Sequence, residues 1–96
     1  MEMYEWLGEL VGGTLHQSAF YRTFFKELLE NGFVYASDMA KWGWHRRSVE
    51  LWRRRLVDLE IIEQKREGWK GKVFYKWHPQ FYANLVKLVK IIKKQV

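Results

Sequence analysis

One stretch, residues 37–59, constrains the fold more than any other part of the chain. Within it, Gly43 separates a short segment from a longer one that is rich in arginine. Glycine adopts the left-handed backbone of a sharp turn without steric cost, so Gly43 predicts the end of one helix and the approach to another. We therefore predict a short helix over 38–42, a turn, and a longer helix over 46–59.

The ends and the apolar spacing of these two helices support this interpretation. Ser37 and Asp38 have side-chain oxygens that accept hydrogen bonds from the first amides of a helix, so they are expected to cap the shorter one. The longer helix has apolar residues three and four positions apart, which indicates one buried stripe. The stripe consists of Val49, Trp52, Leu56 and Leu59.

The longer helix also carries an unusual concentration of arginine outside that stripe. Five of the ten residues from 46 to 55 are arginine, far more than solubility requires. Arginine binds phosphate and the guanine edge through two parallel hydrogen bonds, a geometry that lysine lacks. The sequence therefore predicts a helix that contacts nucleic acid. The side opposite the stripe consists of Arg47, Glu50, Leu51, Arg54 and Asp58.

The chain as a whole predicts an α+β fold that is mostly α, in a single domain of 96 residues. Gly12-Gly13 ends an amphipathic N-terminal helix, Ser18 is the expected N-cap of a core helix, and Pro79 opens the last helix. Gly68 and Gly71 mark the loop of a β-hairpin. The predicted elements are an N-terminal helix over 2–11, a core helix over 18–31, a short strand over 33–35, the two helices described above, a hairpin over 61–77 and a C-terminal helix over 79–96.

The net charge of +6 is unevenly distributed. Residues 1–31 carry two basic and five acidic groups, residues 32–77 carry eleven and six, and residues 78–96 carry four and none. A basic middle and end behind an acidic start predict an anionic partner for one face only.

Cysteine content and hydropathy bear on where the protein acts. The chain has no cysteine, which excludes disulfides and thiolate metal sites. No apolar run approaches the roughly 20 residues of a membrane span, and the N-terminus is acidic where a signal peptide is basic. We therefore expect a cytoplasmic protein without membrane contact, in the host cell if the protein is viral.

The order of helix, strand, helix, turn, helix, hairpin and helix resembles the winged helix-turn-helix DNA-binding family over about residues 18–77. It is most similar to the small, often dimeric transcriptional regulators of archaea, archaeal viruses and bacteria. One position departs from the pattern: many members have leucine four residues after the valine of the recognition helix, where this chain has Arg53. The resemblance is carried by Ser37–Trp42, Gly43, Ser48–Val49, Leu56, Leu59, Ile61–Ile62 and the hairpin around Gly68–Gly71.

The resemblance implies a DNA-binding surface, with the recognition helix in the major groove and the hairpin, or wing, on the backbone or in the minor groove. The implied base contacts are Arg46, Arg47, Glu50, Leu51 and Arg54. The implied backbone contacts are Lys41, Trp44, His45, Arg53 and Arg55, and Arg53 is expected to pack its stem while its head reaches a phosphate. The implied wing contacts are Arg66, Trp69, Lys70 and Lys72. For Trp69 the alternative is that the ring folds back on its own sheet.

Composition predicts a homodimer. The chain is 48% hydrophobic and 18% aromatic, which is more apolar side chain than a domain of this size needs inside. The alternative is that the terminal helices only complete the core of the monomer. The expected interface residues are Trp6, Leu10, Tyr82, Leu85, Val86, Val89 and Ile92.

The expected function is that of a sequence-specific double-stranded DNA-binding protein, most simply a repressor-like transcriptional regulator. A winged-helix module for protein interaction, and a replication or RNA-binding protein, are the alternatives. His16, His45 and His78 lack metal-ligand spacing, and no phosphate-loop or catalytic motif is present. We therefore expect no metal, no cofactor and no enzyme activity.

Overall fold

A computed structural model describes residues 7–8 and 15–95, with the side-chain surroundings of residues 7–8 and 16–90. The described part of the chain is α+β and mostly helical, as expected. Its elements are, in order, α1 (Leu15–Asn31), β1 (Phe33–Tyr35), α2 (Ala36–Met39), a 3-10 turn (Ala40–Trp42), α3 (Arg46–Asp58), β2 (Ile62–Arg66), β3 (Val73–Trp77) and α4 (Pro79–Gln95).

The core helix α1 starts earlier than expected. It begins at Leu15, so Ser18 lies inside the first turn and is not the N-cap. No glycine or proline stands at 15–17 to prevent the extra residues from being helical. The Gln17 side chain also donates a hydrogen bond of 2.9 Å to the Tyr21 hydroxyl one turn along the helix.

The short helix α2 is not capped as expected. Its N-cap residue is Tyr35, which makes no side-chain cap hydrogen bond, and the helix begins at Ala36. Tyr35 pairs with Phe74 in the sheet, so its backbone is extended at φ −74° and ψ 143°. The strand therefore ends where the helix begins, and Ser37 and Asp38 already lie within the helix.

The sheet has three antiparallel strands in the order β1-β3-β2. The hairpin β2-β3 pairs Ile62 with Trp77 at its base and Arg66 with Val73 near its tip. The short strand β1 adds to the other edge of β3, as the pairing of Val34 with Tyr75 shows. Both the brief strand at 33–35 and the hairpin within 61–77 are thus confirmed.

The core is formed mainly by the aromatic face of α1. The Phe20 ring lies at its centre, with ring centroids 5.4 Å from Trp52, 5.9 Å from Trp42 and 5.8 Å from Trp44. One ring of α1 thus contacts the 3-10 turn, the segment after it, and α3. The buried core residues are Leu7, Phe20, Tyr21, Phe24, Phe25, Leu28, Val34, Met39, Val49, Leu56, Ile61, Ile62, Tyr75, Trp77 and Leu85.

Leu59, expected in the buried stripe of the longer helix, is 53% exposed. The helix α3 ends one residue earlier, and Leu59 is its C-cap. Glu60 then takes a left-handed φ of +57°, which reverses the chain. Ile61, which follows this reversal, is buried in the core cluster.

The expected N-terminal helix over 2–11 lies outside the described residues except for Leu7 and Gly8. Both are helical and buried. Leu7 belongs to the core cluster, and a β-carbon added at Gly8 would lie 2.5 Å from Cγ of Arg22. The segment therefore approaches α1 closely at Gly8.

Replacing Phe20 by alanine is expected to lower the free energy of unfolding by about 3–5 kcal/mol, because the cavity removes contact with several rings at once. Urea unfolding followed by circular dichroism measures the change. The control is Leu51→Ala, because Leu51 is 66% exposed on α3 and its loss should change stability by about 0.5 kcal/mol or less. A similar stability for both variants would contradict a core centred on Phe20.

Candidate nucleic-acid interface

The helix α3 places four of its five arginines away from the core. Val49 and Leu56 are buried, and Trp52 packs against the core cluster. Leu51, on the opposite side, is 66% exposed. The helix therefore has one apolar face against α1 and one basic face in solvent. The exposed arginines of α3 are Arg46, Arg47, Arg54 and Arg55.

The start of α3 depends on Gly43 and His45. Gly43 takes the left-handed φ of +90° that was predicted for the turn. His45 is the N-cap of α3, and its ring Nδ1 accepts a hydrogen bond of 3.2 Å from the backbone amide of Arg47. This capping role was not predicted, because histidine is not among the preferred N-cap residues. It leaves only the other ring nitrogen, Nε2, for an outside partner.

Trp44 has a packing role as well as an expected contact role. The residue is half-buried, and its ring meets the Phe20 ring edge-on. A second edge contact, with centroids 6.3 Å apart, joins it to Trp42. The tryptophan thus holds the turn against α1, which the sequence did not indicate.

Two of the expected base contacts are paired with each other. Nε of Arg46 lies 3.2 Å from a carboxylate oxygen of Glu50, one turn along α3. Both side chains are mostly exposed, and an exposed pair at this spacing contributes only about 0.3–0.5 kcal/mol. The pair orders Arg46 weakly, so a phosphate or a base edge competes for it at little cost. Lys41 has a similar exposed partner in Asp38, at 3.9 Å.

Arg53 is held by the sheet. Its guanidinium donates a hydrogen bond to the Tyr75 hydroxyl and lies 5.2 Å from the centre of the Tyr75 ring. The same hydroxyl donates to the side-chain oxygen of Gln64 at 3.4 Å. The expectation was that the head of Arg53 reaches a phosphate; in the free protein it joins α3 to β2 and β3. The sequence indicated only that Arg53 lies beside the buried stripe of α3, and this position does not identify Tyr75 as its partner.

Two grooves run beside α3. The larger has a volume of about 690 Å³ and lies between α3 and β2. The smaller, about 420 Å³, lies between α2 and α3. Arg53 lines both. The larger groove is lined by Arg47, Glu50, Leu51, Arg53, Arg54, Val57, Asp58 and Gln64. The smaller is lined by Ala36, Ser37, Met39, Ala40, Trp44, Arg46, Val49, Glu50 and Arg53.

The hairpin tip exposes Trp69. The residue is 87% exposed, so it does not fold back on its own sheet. The ammonium of Lys70 lies 4.4 Å from the centre of the indole ring, in cation–π geometry. The expected wing residues thus include one ring and one cation that project together into solvent.

The base of the tip is tied to β1. The Tyr35 hydroxyl donates a hydrogen bond to the Glu67 carboxylate. This bond is the largest cause of the raised pKa of Tyr35, ahead of burial and the negative charges of Glu67 and Asp38. The ammonium of Lys72 lies 5.3 Å from the centre of the Tyr35 ring. Tyr35 and Glu67 were not predicted, because they are distant in sequence and meet only through the pairing of β1 with β3.

The residues expected at a dimer interface divide into three groups. Leu85 is 6% exposed and belongs to the core of the single chain, so α4 does complete that core. Tyr82 is 48% exposed, while Val86 and Val89 are half-buried. Trp6, Leu10 and the side chain of Ile92 lie outside the described residues.

Within the part of the chain that the structure describes, no three His, Cys, Asp or Glu side chains are placed to hold a metal ion. None of the described helices is both long enough and apolar enough to cross a bilayer. Comparison with models of known protein families, with curated proteins and with solved structures finds no match to this chain.

Replacing Arg53 by alanine is expected to lower the free energy of unfolding by about 1–3 kcal/mol, because the buried Tyr75 hydroxyl loses a charged partner. The matched control is Arg54→Ala, which removes the same side chain from an exposed position of α3 and should cost about 0.5 kcal/mol or less. Chemical unfolding of both variants measures the difference. Equal midpoints would contradict a structural role for Arg53.

Proposed function

We propose that this chain is a winged helix-turn-helix protein that binds double-stranded DNA and regulates transcription. In this proposal α2, the 3-10 turn, the Gly43 turn and α3 form the helix-turn-helix. The recognition helix is α3, and the hairpin β2-β3 is the wing. The order of the elements and the antiparallel hairpin directly after α3 are compatible with that arrangement.

The observation that carries the proposal is the basic, solvent-facing side of α3. Arg47 and Arg54 are exposed, and both line the groove between α3 and β2. They are seven residues apart, so they are separated by roughly 10 Å along the helix axis at 1.5 Å per residue. That distance is close to the rise of three base-pair steps, at roughly 3.4 Å each. Arg47 and Arg54 can therefore contact base pairs that lie three steps apart in a single major groove.

The major groove of B-DNA accepts an α-helix, and arginine pairs bidentately with guanine there. The apolar face of α3 is occupied by the core, which leaves only the arginine face for a partner. Arg46 and Glu50 lie beside it as an exposed, weakly bound pair. Contacts to bases give sequence preference, while contacts to phosphate position the protein and make its affinity depend on salt.

The proposal includes a homodimer through α4. It is supported by the exposed ring of Tyr82 and by Val86 and Val89, which the core covers only in part. A two-fold dimer presents two recognition helices to a palindromic site with half-sites about one helical turn apart. Occupying a promoter in this way is enough for a repressor.

The first experiment measures the affinity of the chain for a pool of random duplex DNA at two salt concentrations and sequences the retained molecules. We expect steep loss of affinity with salt and an enriched palindrome, because phosphate contacts release counterions while base contacts select sequence. Absence of binding at low salt would overturn the DNA proposal. Binding that survives high salt, or a preference for single strands, would also contradict it.

The double variant Arg47→Ala with Arg54→Ala is expected to lose about tenfold or more in affinity for the enriched site, since a bidentate base contact contributes about 1–3 kcal/mol. The control, Lys87→Ala with Lys90→Ala, removes the same charge from exposed positions of α4. Fluorescence anisotropy compares the two. An equal loss in both would show that net charge, and not the face of α3, determines binding.

Tyr82→Glu is expected to convert the dimer into a monomer, because a carboxylate would be buried without a partner. Sedimentation equilibrium measures the mass. The control is Asn84→Glu, which adds the same charge to an exposed position on the opposite side of α4, two residues along a helix of 3.6 residues per turn. A wild-type chain that sediments as a monomer would contradict the dimer and leave the DNA surface to be tested separately.

A further inference from the structure

We propose that Trp69 stacks on a nucleobase, so that the hairpin tip recognises duplex DNA at a place where a base step is already open. The inference rests on the proposed function, since it names the form of DNA that the same surface prefers. It differs from a wing that only lies along the sugar-phosphate backbone.

The Trp69 side chain is 87% exposed, which is more than any other large hydrophobic side chain among the described residues. The other described tryptophans, Trp42, Trp44, Trp52 and Trp77, all belong to the core or pack against it. Among the described rings none lies against Trp69, while the ammonium of Lys70 lies 4.4 Å from the centre of its ring. One ring face therefore carries a cation, and the other is open to a flat partner.

The backbone of the tip holds the ring in this position. The Glu67 amide donates to the Lys72 carbonyl at 3.0 Å, and the Arg66 guanidinium donates to the Gly71 carbonyl at 3.3 Å. A β-carbon at Gly71 would lie 1.4 Å from the Glu67 carbonyl oxygen, so only glycine fits there. The chain doubles back so tightly that Trp69 stands at its outermost point.

The residues before and after Trp69 both have a left-handed backbone, which tightens the turn further. Gly68 has φ +63°, and Lys70 has φ +71° although it carries a side chain. This conformation is disfavoured for lysine, which has no side-chain group that stabilises it locally. It places the Lys70 ammonium over the indole ring, so the same strained turn that projects Trp69 also adds a cation beside it.

The charges of the tip suit an anionic polymer. Glu67 is the one acidic residue in 66–72, and its carboxylate accepts the hydrogen bond of Tyr35, at the base of the tip. The ammonium of Lys70 lies over the Trp69 ring, and that of Lys72 lies over the ring of Tyr35. A cation beside an aromatic face is the combination that contacts a base and its adjacent phosphate together.

Stacking on Trp69 requires an accessible base face, and this requirement determines which form of DNA the hairpin tip prefers. A base inside a regular duplex has both faces covered by its neighbours, so Trp69 reaches a face only after a step has been unstacked. A bulged or mismatched nucleotide has already lost much of that stacking. Since a base stacked on an aromatic side chain changes affinity by about tenfold, the chain should bind such a duplex more tightly than a perfect one.

The test uses the full chain and two short labelled duplexes of the same sequence, one perfect and one with a single bulged 2-aminopurine. Fluorescence anisotropy measures the ratio of the two affinities, and the emission of 2-aminopurine reports stacking directly. For the wild-type chain we expect about tenfold tighter binding of the bulged duplex, with quenching. Trp69→Ala should abolish both, and Trp69→Phe should retain part of both. Because Trp69 is exposed, neither variant should lose its fold, and circular dichroism checks this.

The control is Leu59→Ala, which removes another exposed apolar side chain, at the C-cap of α3, and should leave the preference and the quenching unchanged. Equal affinity of the wild-type chain for both duplexes would overturn the inference while leaving DNA binding intact. A uniform loss of affinity in Trp69→Ala, with the ratio preserved, would place the ring on the backbone and overturn it too. If the folded wild-type chain binds neither duplex, the proposed function itself fails.

Discussion

Phe20 packs against one ring from each segment that must be held together around Gly43. Trp42 belongs to the 3-10 turn, Trp44 to the segment after it, and Trp52 to α3. A turn with a left-handed glycine at its centre has little stability of its own, because glycine loses more backbone freedom on folding than other residues. The aromatic contacts offset that cost. The direction in which α3 leaves the turn therefore depends on how these three tryptophan rings pack on Phe20 of α1. The orientation of the arginines on the outer face of α3 depends on the same packing.

A polar contact complements this apolar one. Arg53 joins α3 to the hairpin through the Tyr75 hydroxyl, which also binds Gln64. The position is partly buried, so a charged group there needs a partner. The three side chains come from α3, β2 and β3, and their contact couples the angle of the helix to that of the hairpin. This contact therefore connects the arginine face of α3 to the hairpin that carries Trp69 at its tip.

The exposed surface owes its chemical character to the aromatic and basic side chains that the core does not cover. The aromatic excess that composition suggested for a dimer interface is used mainly inside: four of the five described tryptophans belong to the core or pack against it. Trp69 is the exception. On α3 the apolar stripe is occupied by the core, while four arginines remain in solvent. Exposed arginine and an exposed indole suit the nucleic-acid surface that we propose.

Among the described residues, the sequence alone predicted the order of the longer helices and of the strands, because each depends on local patterns. The segment predicted as one short helix over 38–42 is instead a helix over Ala36–Met39 followed by a 3-10 turn over Ala40–Trp42. Helical spacing located α1, α3 and α4, paired glycines located the hairpin, and Gly43 located the left-handed turn. The arginine face of α3 also followed from spacing, since the buried stripe of a helix determines which side remains outside.

The tertiary structure decided the matters that depend on residues distant in sequence. The pairing of β1 with β3 made Tyr35, and not Ser37 or Asp38, the N-cap residue of α2. The reversal at Glu60 exposed Leu59 and buried Ile61, and packing against the body of the chain buried Leu85. The partners of Arg53, and the outermost position of Trp69, likewise arise only when separate strands meet. Periodicity specifies which face of an element is apolar, whereas the three-dimensional arrangement determines what that face, and each charged residue at its edge, contacts.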